Sequence, residues 1–223
     1  MFTVHPISPG DMPICASIII PSFSSDSISA AILGPNTPHN HSLLSSRHLT
    51  GHKEHSTKYP SVPPAVKCVY TSPEGESRII GFAEWLVYDR ERTEDEYTTE
   101  NYILRLEWME ETERQKCLNY MKPMIDARVN FLKGRKHAFL MFLCVDEAFR
   151  GKGAGKALVK WGMEQCDKMG VPGYLEASDD GKWLYENLGW VVVGEEKLPG
   201  MMYFPPGVDR EAWAAGDAER AES

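Results

Sequence analysis

At 223 residues, with 42% apolar and 25% charged side chains, the chain is long enough to bury one full hydrophobic core with some excess. Its 24 Lys and Arg stand against 32 Asp and Glu, a net charge of −8, which argues against a nucleic-acid surface or an anionic-membrane surface. Five cysteines (Cys15, Cys68, Cys117, Cys144, Cys166) are odd in number and form no C-x-x-C pair, which points to a reducing compartment.

Near the N-terminus the longest apolar run is Ile18 to Ile20, with no basic stretch before it, too short for a signal or a span. The expectation is a cytoplasmic or nuclear protein with no membrane partner. Residues 2–7 alternate weakly and predict a short first strand, closed by Ser8-Pro9-Gly10. Asp11 is placed to cap a helix that starts at Met12-Pro13 and runs to about Phe23, with Ile14, Ile18 and Ile19 as its apolar stripe.

Residues 24–64 are poor in large apolar side chains, rich in Ser, His and Pro, and predict short helices at 26–32 and 42–49 with loops between. Five of the seven histidines fall here: His39, His41, His48, His52 and His55. His48 and His52 stand four residues apart, a spacing that suits zinc. No Cys, Asp or further motif completes a set, so the segment reads as solvated chain and no metal is expected.

Residues 65–71 and 78–87 are strand candidates joined by Ser72-Pro73-Glu74-Gly75-Glu76, a turn sequence, and predict a hairpin. Glu84 is the one acid inside the otherwise apolar second strand. It fits an exposed position on a half-buried strand, and it also fits a catalytic carboxylate. Residues 89–134 form a long polar insertion with helical spacing. Tyr102, Leu106, Met109 and Glu113 suggest one face, Pro123 a break, and Ile125, Val129 and Leu132 a second helix reaching Gly134. The acidic first half reads mainly as a solvated face, though it would also favour an approaching cationic amine.

The continuous apolar run 138–145 predicts a strand buried on both faces. It stops at Asp146-Glu147 and is followed by Arg150-x-x-Gly153-x-Gly155 and then by helical spacing over 156–169. Strand, glycine turn and helix start together make an anion site, since the first N–H groups of a helix lack partners and glycines let a phosphate reach them. Arg150, Lys152, Lys156 and Lys160 concentrate positive charge at this one place. The mononucleotide P-loop pattern fails, because Ala157 follows Gly155-Lys156 and Arg150 replaces the first glycine. The dinucleotide pattern lacks its third glycine. Beyond the helix come a short strand at 173–177, the stretch Ser178-x-x-Gly181-x-x-Leu184-Tyr185, strand candidates at 191–193 and 201–204, and a polar tail over 205–223.

The Arg150 to Gly155 turn resembles the pyrophosphate loop of the GNAT superfamily of acetyl-CoA-dependent acetyltransferases. The stretch from Ser178 to Trp190 is similar to that family's Asn-x-x-Ala-x-x-Leu-Tyr-x-x-x-Gly-Phe, with Ser for Asn, Gly for Ala and Trp for Phe. Ile79-Ile80-Gly81-Phe82 resembles the family's third strand. The resemblance, with the order of strands and helices, implies an α/β (α+β) fold. A mixed, mostly antiparallel sheet would be flanked by helices and splayed after the central strand, in one domain over 1–204 with its insertion at 89–134.

It further implies an N-acetyltransferase that moves an acetyl group from acetyl-CoA, as co-substrate, to a primary amine of a small molecule. A protein lysine or N-terminus is the alternative acceptor, and a non-catalytic acetyl-CoA-binding module the alternative role; a monomer or homodimer is expected. By the same resemblance the backbone of Leu143, Cys144 and Val145 would lie beside the pantetheine arm. Arg150, Gly151, Lys152, Gly153, Ala154, Gly155 and Lys156 would hold the pyrophosphate, Ser178 would contribute to the cofactor site, and Tyr185 would protonate the departing thiolate. The central-strand positions where several relatives carry a Glu or His match Phe139 and Met141, which take no proton. The base is then sought in Glu84 first, in Glu176 or His137 through water, or in solvent.

Overall fold

The computed structural model describes residues 1–25, 27–99, 110–194 and 198–213. In chain order these form β1 (Phe2–Pro6), α1 (Met12–Ser22), α2 (Ser27–Leu33), α3 (Pro38–Lys58), β2 (Ala65–Thr71), β3 (Ser77–Tyr88), α4 (Glu94–Thr99), α5 (Glu111–Leu132), β4 (His137–Val145), α6 (Ala154–Met169), β5 (Gly173–Glu176), α7 (Asp179–Glu186), β6 (Val191–Val192) and β7 (Gly200–Tyr203). The strands make one sheet in the order β1-β2-β3-β4-β5-β7-β6. Every neighbouring pair is antiparallel except β4 with β5. This is the mixed, mostly antiparallel sheet flanked by helices that the sequence predicts.

The geometry of β4 positions everything that follows. Its parallel pairing with β5 covers Ala138, Phe139 and Leu140 and ends at Leu140↔Leu175. The sheet therefore parts inside β4, ahead of its end at Val145. On the other edge β4 stays paired with β3, with a shift between Glu84↔Phe142 and Trp85↔Leu140 that leaves Met141 opposite no residue. Such a one-residue bulge bends a strand and re-aims its side chains. Past it, Phe142 and Cys144 turn to the face carrying α1 and α3, while Leu143 and Val145 turn to the face carrying α6.

The α6 face is filled by Trp85, Val87, Ala138, Leu140, Leu158, Val159 and Leu175. The opposite face is filled by Met12, Ile19, Leu44, Phe82 and Cys144. A third cluster, Tyr59, Tyr88, Leu132, Phe139, Tyr174 and Met202, lies under the end of α5. Cys15 and Cys144 are buried thiols, and burial pushes the Cys15 thiol up to about 12.

Four local expectations change. Residues 38–58 are one 21-residue helix, not a short piece between loops. Thr37 caps it by accepting from the Asn40 N–H at 3.3 Å, with Pro38 in the first turn. Its buried stripe is Asn40, Leu44, Ser45, His48, His52 and His55, so histidines occupy positions where apolar residues would have signalled a helix. Asp11 does not cap α1 with its side chain; it accepts from Ser8 and pairs with Lys67 Nζ at 2.7 Å. Pro123 lies inside the continuous α5. Both Pro123 and Asn119, whose carbonyl loses its donor, face solvent, which satisfies the orphan group. The face suggested for Tyr102, Leu106 and Met109 falls outside the described residues, as does most of the tail. The described part of the tail packs back: Arg135 Nη1 donates to the Trp213 carbonyl at 2.8 Å, and its guanidinium lies over the Trp213 ring at 3.5 Å.

The α6 face is tight at one point. A Cβ at Gly162 would lie 2.0 Å from the Trp85 ring. Trp85 is fully buried and has nowhere to move. Gly162→Ala is expected to lose about 1–3 kcal/mol of stability despite its higher helix propensity, read as a lower urea midpoint; an unchanged or raised midpoint would show that α6 does not seat on Trp85.

Candidate functional site

The end of β4, the start of α6 and the middle of α7 converge. A Cβ at Gly155 would meet Val145 at 3.8 Å and Leu184 at 3.7 Å. Gly151 and Gly153 have φ of 71° and 97°, a left-handed backbone that glycine adopts without strain. A Cβ at either position would meet no atom within 4 Å, so the outer side of the turn is open. Gly153 is the N-cap of α6, and no side chain caps that helix. Its first N–H groups therefore stay available beside Lys152 and Lys156, both exposed. Arg150, exposed as well, donates from Nε to the Val145 carbonyl at 3.2 Å and approaches Ser22 Oγ at 3.4 Å. It ties the turn to β4 and α1. An uncapped helix start with an open, glycine-lined approach fits a pyrophosphate-sized anion.

Beside this turn, among the described residues, 141–145 of β4 have no strand partner on the side where β5 departs, and the Val145 carbonyl accepts from Arg150 Nε. Met141 is 43% exposed there, and Leu143 and Val145 are half-buried. Tyr185 on α7 shares a cluster with Leu143 and Val145. Its ring meets Trp190 edge-on at 6.0 Å, and among the described residues its hydroxyl has no hydrogen-bond partner. Burial pushes the phenol up, so it is protonated at neutral pH. Ser178 is the N-cap of α7 and accepts from the Gly181 N–H at 3.3 Å. The structure thus places Leu143, Val145 and Tyr185 in one apolar cluster, with Gly155 of the turn beside Val145 and Leu184. Cys144 turns its side chain into the α1 face, and its backbone is paired with Phe82 of β3.

Glu84 lies elsewhere. It is 5% exposed, not the solvated residue of a half-buried strand, and sits between β3 and α3. His52 Nε2 is 2.7 Å from its Oε1, and His48 Nδ1 is 3.3 Å from its Oε2. Burial alone would raise this carboxyl; the two imidazoles overcome burial and hold it well below the usual carboxylate range. A carboxylate so held is a poor proton acceptor at neutral pH, where an effective base titrates near the working pH. The geometry therefore argues against Glu84 as the free base expected from sequence. His48 and His52, which sequence reasoning set aside for want of a third ligand, are both buried and both on Glu84. Their four-residue spacing was legible; the partner 32 residues away in the sequence was not.

The other two base candidates are also engaged. Arg128 Nη1 lies 2.8 Å from both Glu176 carboxylate oxygens. His137 lines a small cavity with Arg92, Arg128 and Lys133. Burial first, then the Arg92 charge, pushes its imidazole down to about 3, against a 2.8 Å contact from Nδ1 to the Arg135 carbonyl.

The profile of the acetyltransferase (GNAT) family matches residues 52–190, more than half of the chain. Three solved structures similar to this one show the same fold. Arylalkylamine N-acetyltransferase 2 from Aedes aegypti superposes with a TM-score of 0.62 at 15% identity, covering 91% of this chain and 98% of that one. The mosquito arylalkylamine N-acetyltransferase like 5b gives 0.59 at 12% identity, covering 92% and 100%. A mutant agmatine N-acetyltransferase in its apo form gives 0.57 at 11%, covering 91% and 97%. A search of curated protein sequences found no match. Among the described residues no helix is long and apolar enough to cross a membrane.

His137 sets a pH signature. In the unfolded chain it takes a proton near 6.5, and in the folded chain near 3. Between those values the unfolded state binds more protons, so stability is full above 6.5 and falls as pH drops. His137→Gln removes this difference. Between pH 7 and 5 the variant is expected to lose up to about 2 kcal/mol less stability than the parent, measured by urea unfolding at each pH; parallel declines would mean that His137 is protonated in the fold.

Proposed function

Because the chain belongs to the acetyltransferase (GNAT) family, we propose that it transfers the acetyl group of acetyl-CoA directly to the primary amine of a small molecule. The observation that carries the reading is the open glycine turn at the start of α6, lying against the unpaired edge of β4. Acetyl-CoA, when bound, supplies an activated acetyl as a thioester. Gly151, Gly153, Ala154, Gly155 and Lys156 hold its pyrophosphate through helix-start N–H groups, and Lys152 and Lys156 add charge. Arg150 braces the turn instead of facing the anion. The backbone of Leu143, Cys144 and Val145 lies beside the amide-bearing arm, and the Leu143 N–H polarises the carbonyl. Ser178 fixes the start of the helix that presents Tyr185.

The amine nitrogen bonds to the acetyl carbon, the carbon–sulfur bond breaks, and the Tyr185 hydroxyl gives its proton to sulfur. Tyr185 recovers a proton from solvent, and the proton lost by the amine leaves to solvent. Burial keeps the phenol protonated until that step, and the same desolvation sharpens a thiolate's demand for a proton. Glu84 serves by tying β3 to α3 beside the bulge, not by taking the amine's proton.

A small acceptor is favoured over a protein tail by the placement of α5. Arg128 on this helix pairs with Glu176 at the end of β5, and its guanidinium lies 4.5 Å from the Phe139 ring on β4. The helix so roofs the β4–β5 junction, where a peptide would need an open groove. The similar folds named for arylalkylamines and agmatine act on amines of that size.

Two variants test the reading. Gly153→Glu puts a carboxylate in the anion's approach and forces φ 97° on a residue with a side chain; calorimetry is expected to show acetyl-CoA binding abolished, and unchanged affinity rejects the site. Once the acceptor is identified by a screen of amines with free coenzyme A as readout, Tyr185→Phe is expected to lower kcat by about 10²–10⁴ with little change in KM. Full kcat in that variant, with chemistry rate-limiting, would leave Tyr185 a packing residue.

A further inference from the structure

We infer that His48, His52 and Glu84 form a binding site for one divalent transition-metal ion, zinc by the chemistry of its donors, clamping α3 to β3. The inference is independent of the acetyl-transfer reading above. Three observations carry it. First, the donor set is right in kind: two imidazole nitrogens and one carboxylate suit zinc and its first-row neighbours, and a hard ion such as magnesium or calcium would ask for oxygen alone. Second, the geometry is near that of a bound ion. One ligand atom from each of the three residues lies within 4.8 Å of the others. Ligand atoms on a tetrahedral zinc, with bonds of about 2.0–2.1 Å, stand roughly 3.3 Å apart. Taking Oε1 as the carboxylate ligand, His48 Nδ1 lies 3.4 Å from it, and His52 Nε2, at 2.7 Å, needs to retreat by about 0.6 Å.

Third, ion pairing alone leaves the cluster unsatisfied. All three side chains are more than nine-tenths buried, with relative exposures of 6%, 7% and 5%. Yet among the described residues Glu84 Oε2 and His48 Nε2 have no hydrogen-bond partner. His48 Nδ1 contacts Oε1 at 3.4 Å, the same oxygen that faces His52, while Oε2 stays open. A buried carboxylate with an open lone pair is costly, and cations are what such groups coordinate.

The placement also gives the ion work to do. His48 and His52 sit one turn apart on α3, so both face the sheet from one helical face. Glu84 is paired with Phe142, the residue that follows the bulge in β4. The His48 ring meets Phe142 edge-on at 5.5 Å and Phe82 at 5.8 Å. A metal here would pin the strand pair at the point where the sheet opens, through a helix whose stripe is otherwise weakly apolar.

The test begins with the intact chain expressed with zinc in the medium. Elemental analysis of the purified protein is expected to find one zinc per chain. Chelator dialysis should remove it with a fall in Tm that added zinc reverses. Cobalt in its place should give the intense visible bands of a tetrahedral site. Glu84→Gln and His48→Ala should lower zinc affinity by more than the roughly 100-fold that losing a supporting residue costs, while His41→Ala, on the same helix outside the cluster, should bind as the parent does. If the cluster variants do not fold, stoichiometry and the cobalt spectrum of the parent decide alone. Absence of stoichiometric metal and of the cobalt bands, or zinc uptake unchanged in Glu84→Gln and His48→Ala, overturns the site. An unmetallated parent in which Glu84→Gln shifts the pH profile of kcat would make the trio a proton-handling unit instead. Retained acetyl-CoA binding in the cluster variants would separate a failure here from a failure of the proposed reaction.

Discussion

The structure depends on β4 losing one neighbour while keeping the other. From Ala138 to Leu140 its backbone is paired on both edges; Met141 is paired with neither neighbour, and Phe142 to Val145 are paired with β3 alone. In a buried strand, unpaired N–H and C=O groups are costly unless something else bonds them. A ligand that carries its own amides is one way to meet that demand. The glycine turn follows within a few residues, at the start of a helix that no side chain caps. Two unmet backbone demands, one along a strand edge and one at a helix start, are thus set next to each other by the chain itself. The family's use of a long, amide-bearing and phosphate-bearing co-substrate follows from that adjacency.

The bulge at Met141 has a second effect. By shifting the strand by one residue it turns Phe142 toward α1 and α3, and Leu143 toward α6. The apolar contacts that hold the helices on the two faces therefore also fix which groups border the opening. Glu84, across from Phe142, ends up behind the strand under α3. Its charge has to be compensated inside the protein, and α3 brings two imidazoles to do it. A buried ionic group of this kind seldom adds net stability over an apolar replacement. Its persistence in the middle of a core-facing helix stripe argues for a task beyond packing.

Legibility in the sequence followed the kind of signal each part carries. The strand 138–145, the turn after it and helix α6 were readable because an apolar run, three closely spaced glycines and helical spacing occur consecutively. The hairpin 65–88 was readable because Pro73 and Gly75 punctuate it. Helix α3 was not, since its inward positions are Asn40, Ser45, His48, His52 and His55, residues that a hydrophobic period does not register. Pro123 misled for the opposite reason: it is a strong local breaker placed where an exposed carbonyl tolerates it. Glu84 was visible as an oddity in an apolar strand, but whether such an acid faces water, substrate or another side chain is decided by a helix 32 residues earlier. The arginines of α5 were invisible in the same way, since Arg128 acquires meaning only when Glu176 comes against it from β5.

These parts join at the sheet's opening from opposite directions. From the α6 side come the glycine turn and Tyr185, which suit the handling of an anionic, thioester-bearing co-substrate. From the other side come α3 with its histidine cluster and α5 with Arg128, elements on stretches whose sequence resembles the family least. The first side is set by backbone geometry, which tolerates much variation in side chains, and it is where the family's motifs lie. The second side is set by specific long-range side-chain pairs. On the proposed reading, acetyl donation draws on the first side and the choice of acceptor on the second.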